Sequence, residues 1–349
     1  MKSVIRTVLI LILLLVAAGG GGAWYIWNGM QPVEPAGPAV TFTIEKGMGS
    51  AEIADLLEHN GIIRKSLFFK GYLKWSKEGS LFKAGTYTAS PGDTYDDLIT
   101  RLNQGDVVKT EMVNFTIPEG FTADQVAAKL ATAWNQDATV FLGLLNSGAG
   151  LTEADVLGIP QDQKLRHRLE GYLFPETYEL AKDSTPQEIV EAMLEQLTKK
   201  LDTIPDWRQK LKERGISLHK LLTVASLVER EVVVDSERPL VAGIIYNRLD
   251  EGQKLEIDAT VQYLLEKQKA RLYNKDLKVD SPYNTYKYAG LPPGPISNPG
   301  LASIQAALEP KASDYFYYVT KKDGTQGHLF AKTYKEHLAN IEKSKQSAQ

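Results

Sequence analysis

The sequence predicts an α+β protein laid out in series: an N-terminal transmembrane helix, small strand–helix modules, then a mixed α/β domain with a cleft. Three observations predict it. Val8 to Trp27 carries no charge and runs for about 20 residues, the length that crosses a bilayer core. A strand–glycine–helix pattern then occurs three times between residues 40 and 135. Beyond it, helical periods alternate with Pro- and Gly-rich loops and end in a short hairpin.

Length and composition bound what such a chain can do. Its 349 residues suffice for two domains, and 43% hydrophobic with 24% charged residues is ordinary for a globular protein. A net charge of -3 offers no basic field, so no nucleic-acid partner is expected. With no cysteine, disulfides, thiolate catalysis and cysteine zinc sites are excluded. Five histidines without an HExxH spacing give no reason to expect a metal, and no cofactor is expected either.

Lys2 and Arg6 precede the apolar run, so the short N-terminus belongs in the cytoplasm and the bulk of the chain outside it. This describes a single-pass protein of the cytoplasmic (inner) membrane. Trp24, Tyr25 and Trp27 suit the outer interface. A cleaved signal peptide competes with the anchor, the small residues Ala17 and Ala18 offering a cleavage site. Pro32, Pro35 and Pro38 then form a stiff spacer. The resulting division is a cytoplasmic tail (1–7), an anchor (8–28), a Pro-rich linker (29–40), a repeated strand–helix region (41–135) and a C-terminal domain (136–349).

The repeat is regular. Phe42, Tyr87 and Phe115 each open a short strand; Gly47, Gly92 and Gly120 follow five residues later. Apolar residues come six and ten positions after each glycine: Ile53 and Leu57, Leu98 and Leu102, Val126 and Leu130. That order reads as strand, tight turn, helix, with Ser50, Thr94 and Thr122 placed to cap the helices. Such units resemble LysM-like glycan-binding modules; a purely structural spacer is the alternative. Tyr72 and Trp75 are candidate sugar-stacking residues, with a place in the core of an amphipathic helix as the plainer reading.

In the C-terminal domain, EGYLFPETY (170–178) mixes aromatics, carboxylates, Gly and Pro with no clean period. Helical patterns follow over 186–201, 205–215, 218–231 and 235–249, and Asp258 is placed to cap the next segment. The loop at 281–300 is too rich in Pro and Gly for a helix. Its rigid backbone presents Tyr283, Asn284, Thr285 and Tyr286 as candidates for binding sugar hydroxyls, with a turn-rich connection as the alternative. DYFYYV (314–319) and GHLF (327–330) read as a hairpin, and His328 as structural.

The stretch Leu218 to Glu231 holds the candidate acid. Leu221, Leu222, Ala225 and Val228 share a helical face, and Glu229 lies four residues after Ala225. A carboxyl beside that face is desolvated, which disfavours its charge and lifts its pKa above the ordinary value of about 4.3. A carboxylic acid that keeps its proton is what glycosidic cleavage requires. Arg230 and Glu231 project more nearly the other way. The plainer reading makes Glu229 a rim glutamate paired with an arginine.

Taken together, the anchor, the strand–helix region, EGYLFPETY, ASLVERE (225–231), SERPLVAGIIYNRL (236–249), LEIDATVQY (255–263), SPYNTYKYAGLPPGPISNPG (281–300) and GHLF closely resemble the YceG-like endolytic murein transglycosylases. The resemblance covers nearly the whole chain and implies cleavage of the MurNAc–GlcNAc bond of nascent peptidoglycan glycan strands, with cell-wall synthases as partners. It makes the C-terminal domain catalytic and its cleft a glycan cleft. The family motif A-S-[IL]-[IV]-E-[KR]-E carries the catalytic glutamate, which this alignment sets on Glu229. Family members commonly have Thr after the second Glu, where this chain has Val232. Glu229 would protonate the leaving oxygen and then deprotonate the C6 hydroxyl of the same MurNAc, closing a 1,6-anhydro ring. An intramolecular nucleophile needs no second carboxylate. Glu170, Glu176 and Tyr178 are carried as substrate-binding candidates, and either glutamate would serve as the second acid of a hydrolytic muramidase. A non-enzymatic glycan-binding scaffold is the remaining alternative.

Overall fold

The computed structural model describes residues 13, 16, 19–33, 37–78, 81–107, 111–265 and 267–347, and divides the chain into a unit ending at Thr110 and one beginning at Glu111. The expected transmembrane helix is corrected. Among the described residues no helix is long and apolar enough to cross a membrane. The unbroken described helical run, residues 19–29, opens on four glycines, poor helix formers, and rises only about 16 Å. Most of the apolar stretch from Val8 to Ala18 lies outside the described residues.

In the first unit, β1 (Val40–Ile44), α1 (Ser50–His59), α2 (Ser66–Ser76), β2 (Gly85–Ala89) and α3 (Tyr95–Gln104) follow in order. β1 and β2 pair antiparallel with Phe42 opposite Tyr87, the rings stacked at 6.0 Å. Ile53, Leu57, Leu98 and Leu102 all enter the core beneath that pair, so the first two copies of the repeat build one module. Thr94 caps α3 by accepting from the Asp97 amide. Ser50 does not cap α1; Gly49 takes that position, its N–H held by Glu52. Trp75 is 77% exposed and is not core.

The third copy belongs elsewhere. β3 (Met112–Thr116) and α4 (Ala123–Trp134) are part of the second unit, where β3 pairs antiparallel with β4 (Thr177–Ala181). Phe115 stacks on Tyr178 at 5.2 Å, so the partner of the third strand is a segment 63 positions downstream and not its neighbour in the repeat. The unit boundary therefore falls at 110/111 and not near 135.

The remainder of the second unit is helical: α5 (Ala138–Ser147), α6 (Thr152–Val156), α7 (Pro186–Leu201), α8 (Trp207–Arg214), α9 (Leu218–Glu231), α10 (Arg238–Asp250), α11 (Asp258–Gln262) and α12 (Leu301–Leu308). A hairpin of β5 (Tyr317–Thr320) and β6 (His328–Ala331) and a last helix α13 (Tyr334–Gln346) complete it. Helix α9 is central. Ser217 caps its start, and all eight residues from Leu221 to Val228 are buried, against α10, α11 and α12. A helix buried all round has no solvent face until its last residues. The polar Ser226 is accommodated by donating to the Thr223 carbonyl and accepting from the Ile296 amide.

Glu170 is 1% exposed and ties three segments together. Its carboxyl accepts from the Ala123 amide at the start of α4, from the Tyr263 hydroxyl after α11, and from Asn298 Nδ2 in the Pro-rich loop. Burial pushes it up to about 8, with the Ala123 amide and Tyr263 hydroxyl pulling the other way. Glu170→Ala should leave those donors unpaired in the interior and cost at least about 3 kcal/mol. Thermal unfolding should show a Tm lower by roughly 10 °C; an unchanged Tm would mean that the node carries no load.

Candidate active site

Glu229 and Glu231 close α9, two residues and about 200° apart around the helix, and meet different surroundings. Glu229 has a side chain 8% exposed. Its Oε2 accepts from the Gly300 amide at 3.0 Å and from Arg238 Nη1 at 3.4 Å. Arg238 is itself buried and also donates to Ser303 and Asp235. Glu119 lies on the same side: a Cβ built on Gly300 would come within 1.9 Å of its Oε1, so any larger residue there would displace the Glu119 carboxyl. Burial, then the neighbouring Glu229, raises the Glu119 carboxyl above its ordinary range. Glu229 thus sits in a buried ion pair that joins α9 to α10 and α12: it has the arginine partner that the plainer sequence reading expected, but it is buried and not at the rim.

Glu231 faces an open cavity of about 650 Å³ whose walls include Arg230, Asp258, Tyr286, Tyr318 and His337. The sequence reading that turned this residue away from buried surroundings is corrected. The hairpin swings Tyr318 over the helix end, and its hydroxyl donates to Glu231 Oε2 at 3.0 Å. Desolvation pushes the Glu231 carboxyl up to about 7; Asp258 adds to the rise, while Tyr318, Arg230 and the Ala259 amide oppose it. The negative end of the α9 dipole acts in the same upward direction. Tyr318 itself is raised well above the ordinary phenol value by burial and by Glu231, so it stays a donor. Beside them the Tyr286 hydroxyl donates to Asp258 Oδ1 at 2.6 Å.

The hairpin is pinned from below. His328 is buried, its Nδ1 2.7 Å from Glu237 Oε2, and its amide also donates to Glu237. His328 packs edge-on against Tyr318 at 5.4 Å, so Glu237 in the turn before α10 indirectly sets the position of the tyrosine above Glu231.

Of the residues expected to bind substrate, Tyr286 alone reaches this cavity. Glu170 is the buried node already described. Glu176 pairs with Lys200 at 2.5 Å beside β4. Tyr178 is core, its hydroxyl donating to the Phe174 carbonyl. Tyr283 is buried against Tyr263 and accepts from the Arg166 amide. Asn284 spends its side chain on the carbonyls of Leu277 and Val279 and the Tyr286 amide. Thr285 accepts from the Ile257 amide and meets Thr260. These residues hold the loop in shape so that Tyr286 faces inward. Asp258, read as a cap, makes no capping bond and instead anchors Tyr286. Nothing local in their segments marks Tyr318 or His337, or marks Asp258 as more than a cap; the three converge only in three dimensions.

A helix end presenting a raised carboxyl to an open polar cavity is an arrangement suited to acid–base chemistry on a polar substrate. The chain belongs to the YceG-like family, which it matches over residues 42–343. It is 35% identical over 322 residues to the endolytic murein transglycosylase of Bacillus subtilis (strain 168), covering 90% of this chain and 87% of that protein. It is 31% identical over 340 residues to the endolytic murein transglycosylase of Streptococcus pneumoniae serotype 2, covering 91% of this chain and 60% of that longer protein. A crystal structure of a YceG-like protein from Listeria monocytogenes superposes with a TM-score of 0.60 at 32% identity, covering 86% of this chain and 99% of that one.

The raised Glu231 carboxyl has a consequence for stability. Folding binds its proton more tightly than the ordinary value of 4.5 does, so its stabilising contribution is complete below that pH and is lost as pH rises through about 7. Glu231→Gln removes the cost of ionising a buried acid. The variant should therefore gain on the wild type between about pH 4.5 and about pH 8, by up to roughly 3 kcal/mol. Thermal unfolding across that range checks it; a difference in Tm that stays flat with pH would show that Glu231 is not desolvated.

Proposed function

We propose that the chain is an endolytic murein transglycosylase whose acid is Glu231. The observation that carries this is one carboxyl, raised to about 7 and open to a polar cavity, in a chain whose curated relatives bear that name. At neutral pH such a group is divided between its two forms, so it can give a proton and take one back.

The reaction follows from that. Glu231 protonates the oxygen bridging MurNAc C1 to the next GlcNAc, and the C1–O bond breaks with the electron pair leaving on that oxygen. The C6 hydroxyl of the same MurNAc bonds to C1, and its proton passes to the Glu231 carboxylate. One strand ends in 1,6-anhydro-MurNAc, the other in GlcNAc with a free hydroxyl, and no water is consumed. Tyr318 steadies the carboxylate between the two transfers by donating to Oε2. Cutting within strands limits their length, which places the work outside the cytoplasm, beside the synthases that extend them. The strand–helix–helix–strand order of the first unit and its exposed Trp75 support a LysM-like glycan-holding role for that unit.

Asp258 supports a hydrolytic reading as the second, since it is a carboxylate in the same cavity. Mass spectrometry of digested uncrosslinked glycan strands separates the two: anhydro ends are expected, and reducing ends would establish hydrolysis. Glu231→Gln should lose roughly two to four powers of ten in rate while remaining folded. Glu229→Gln should lower Tm through its ion pair and keep kcat within about tenfold in the folded protein. If Glu229→Gln is folded and inactive while Glu231→Gln cuts normally, the acid is Glu229. If both cut normally, the chain is a scaffold and not the enzyme.

A further inference from the structure

His337, on α13, forms part of the wall of the Glu231 cavity. Stacking, not hydrogen bonding, holds its ring: it lies nearly parallel to Tyr317 at 5.2 Å, with Tyr334 tilted against it at 6.3 Å. The Arg248 guanidinium also lies against Tyr317, 5.0 Å from the ring centre. Among the described residues Nδ1 is buried without a partner, which leaves Nε2 as the nitrogen open to the cavity. Burial, then Arg248, lowers the imidazole below its ordinary range against the pull of Glu256, so the ring is neutral at physiological pH. A neutral imidazole has one N–H and one lone pair. A buried N–H without an acceptor is rarer than a buried lone pair without a donor, which favours the tautomer with the proton on Nε2.

Along this wall Glu231, Asp258 and Glu256 are acceptors when charged, and sugar hydroxyls can satisfy them by donating. A carbonyl oxygen cannot donate; it needs a donor. We propose that His337 is a substrate-binding residue of this cavity, its Nε2–H donating to a carbonyl oxygen of the bound glycan strand, of the acetamido or lactyl group. This rests on the glycan reading of the cavity and extends it to α13, which thereby selects for acylated sugars.

The test uses the full chain and uncrosslinked glycan strands. His337→Phe keeps a flat ring on Tyr317 and removes the donor. It should raise KM about tenfold with a smaller change in kcat, the worth of about one hydrogen bond, and leave Tm unchanged. His337→Gln places an amide N–H near the position of Nε2 and should restore most of the loss. On de-N-acetylated strands the gap between wild type and His337→Phe closes if the acetamido carbonyl is the partner and persists if the lactyl carbonyl is. A wild-type KM in His337→Phe overturns the proposal, as does a loss that His337→Gln fails to restore. Undiminished cutting by Glu231→Gln overturns the assignment of the cavity, and this proposal with it.

Discussion

A carboxyl buried without a counter-charge must be given donors, and at Glu170 that requirement organises the second unit. The three donors come from the start of α4, the segment after α11 and the Pro-rich loop. Asn298 extends the node: its Oδ1 accepts from the amides of Gly171 and Leu173, and its Nδ2 also reaches the Phe121 carbonyl. The loop is thus fastened to EGYLFPETY at one point and to Ser226 of α9 at another, through the Ile296 amide. With both ends of the contact set, Gly300 arrives where its amide can hold Glu229. Tyr283, Asn284, Thr285 and Asn298 fix the position of the loop, each with hydrogen-bond partners inside the protein.

Two glutamates on one turn of α9 have opposite surroundings for a simple reason. The face carrying Glu229 abuts α10 and α12, which bring a guanidinium and an amide. The face carrying Glu231 is roofed by the hairpin, which brings a phenol and leaves space. Glu229 is fastened by a guanidinium and an amide, whereas Glu231 is desolvated with room beside it. The pair His328–Glu237 holds the hairpin, so residues outside the cavity wall help set the geometry around Glu231.

Much was legible in the chain itself. Helix α9 spans Leu218–Glu231 as its apolar spacing requires, the cap at Thr94 forms, and the terminal hairpin forms as expected. These are local properties: hydrophobic period, capping chemistry and turn residues act over a few positions, and the sequence states them directly.

What only the tertiary structure decided was which face of that helix end is roofed and by what. Tyr318 stands 87 positions from Glu231, and Glu170 lies 128 positions from Asn298. Desolvation depends on such distant neighbours, so the periodicity that pointed to Glu229 as the desolvated carboxyl could not register the hairpin that covers Glu231. The same holds for Tyr178, Tyr283, Asn284 and Thr285. Their hydroxyls and amide suit a sugar or a protein carbonyl equally well, and the fold spends them on its own backbone.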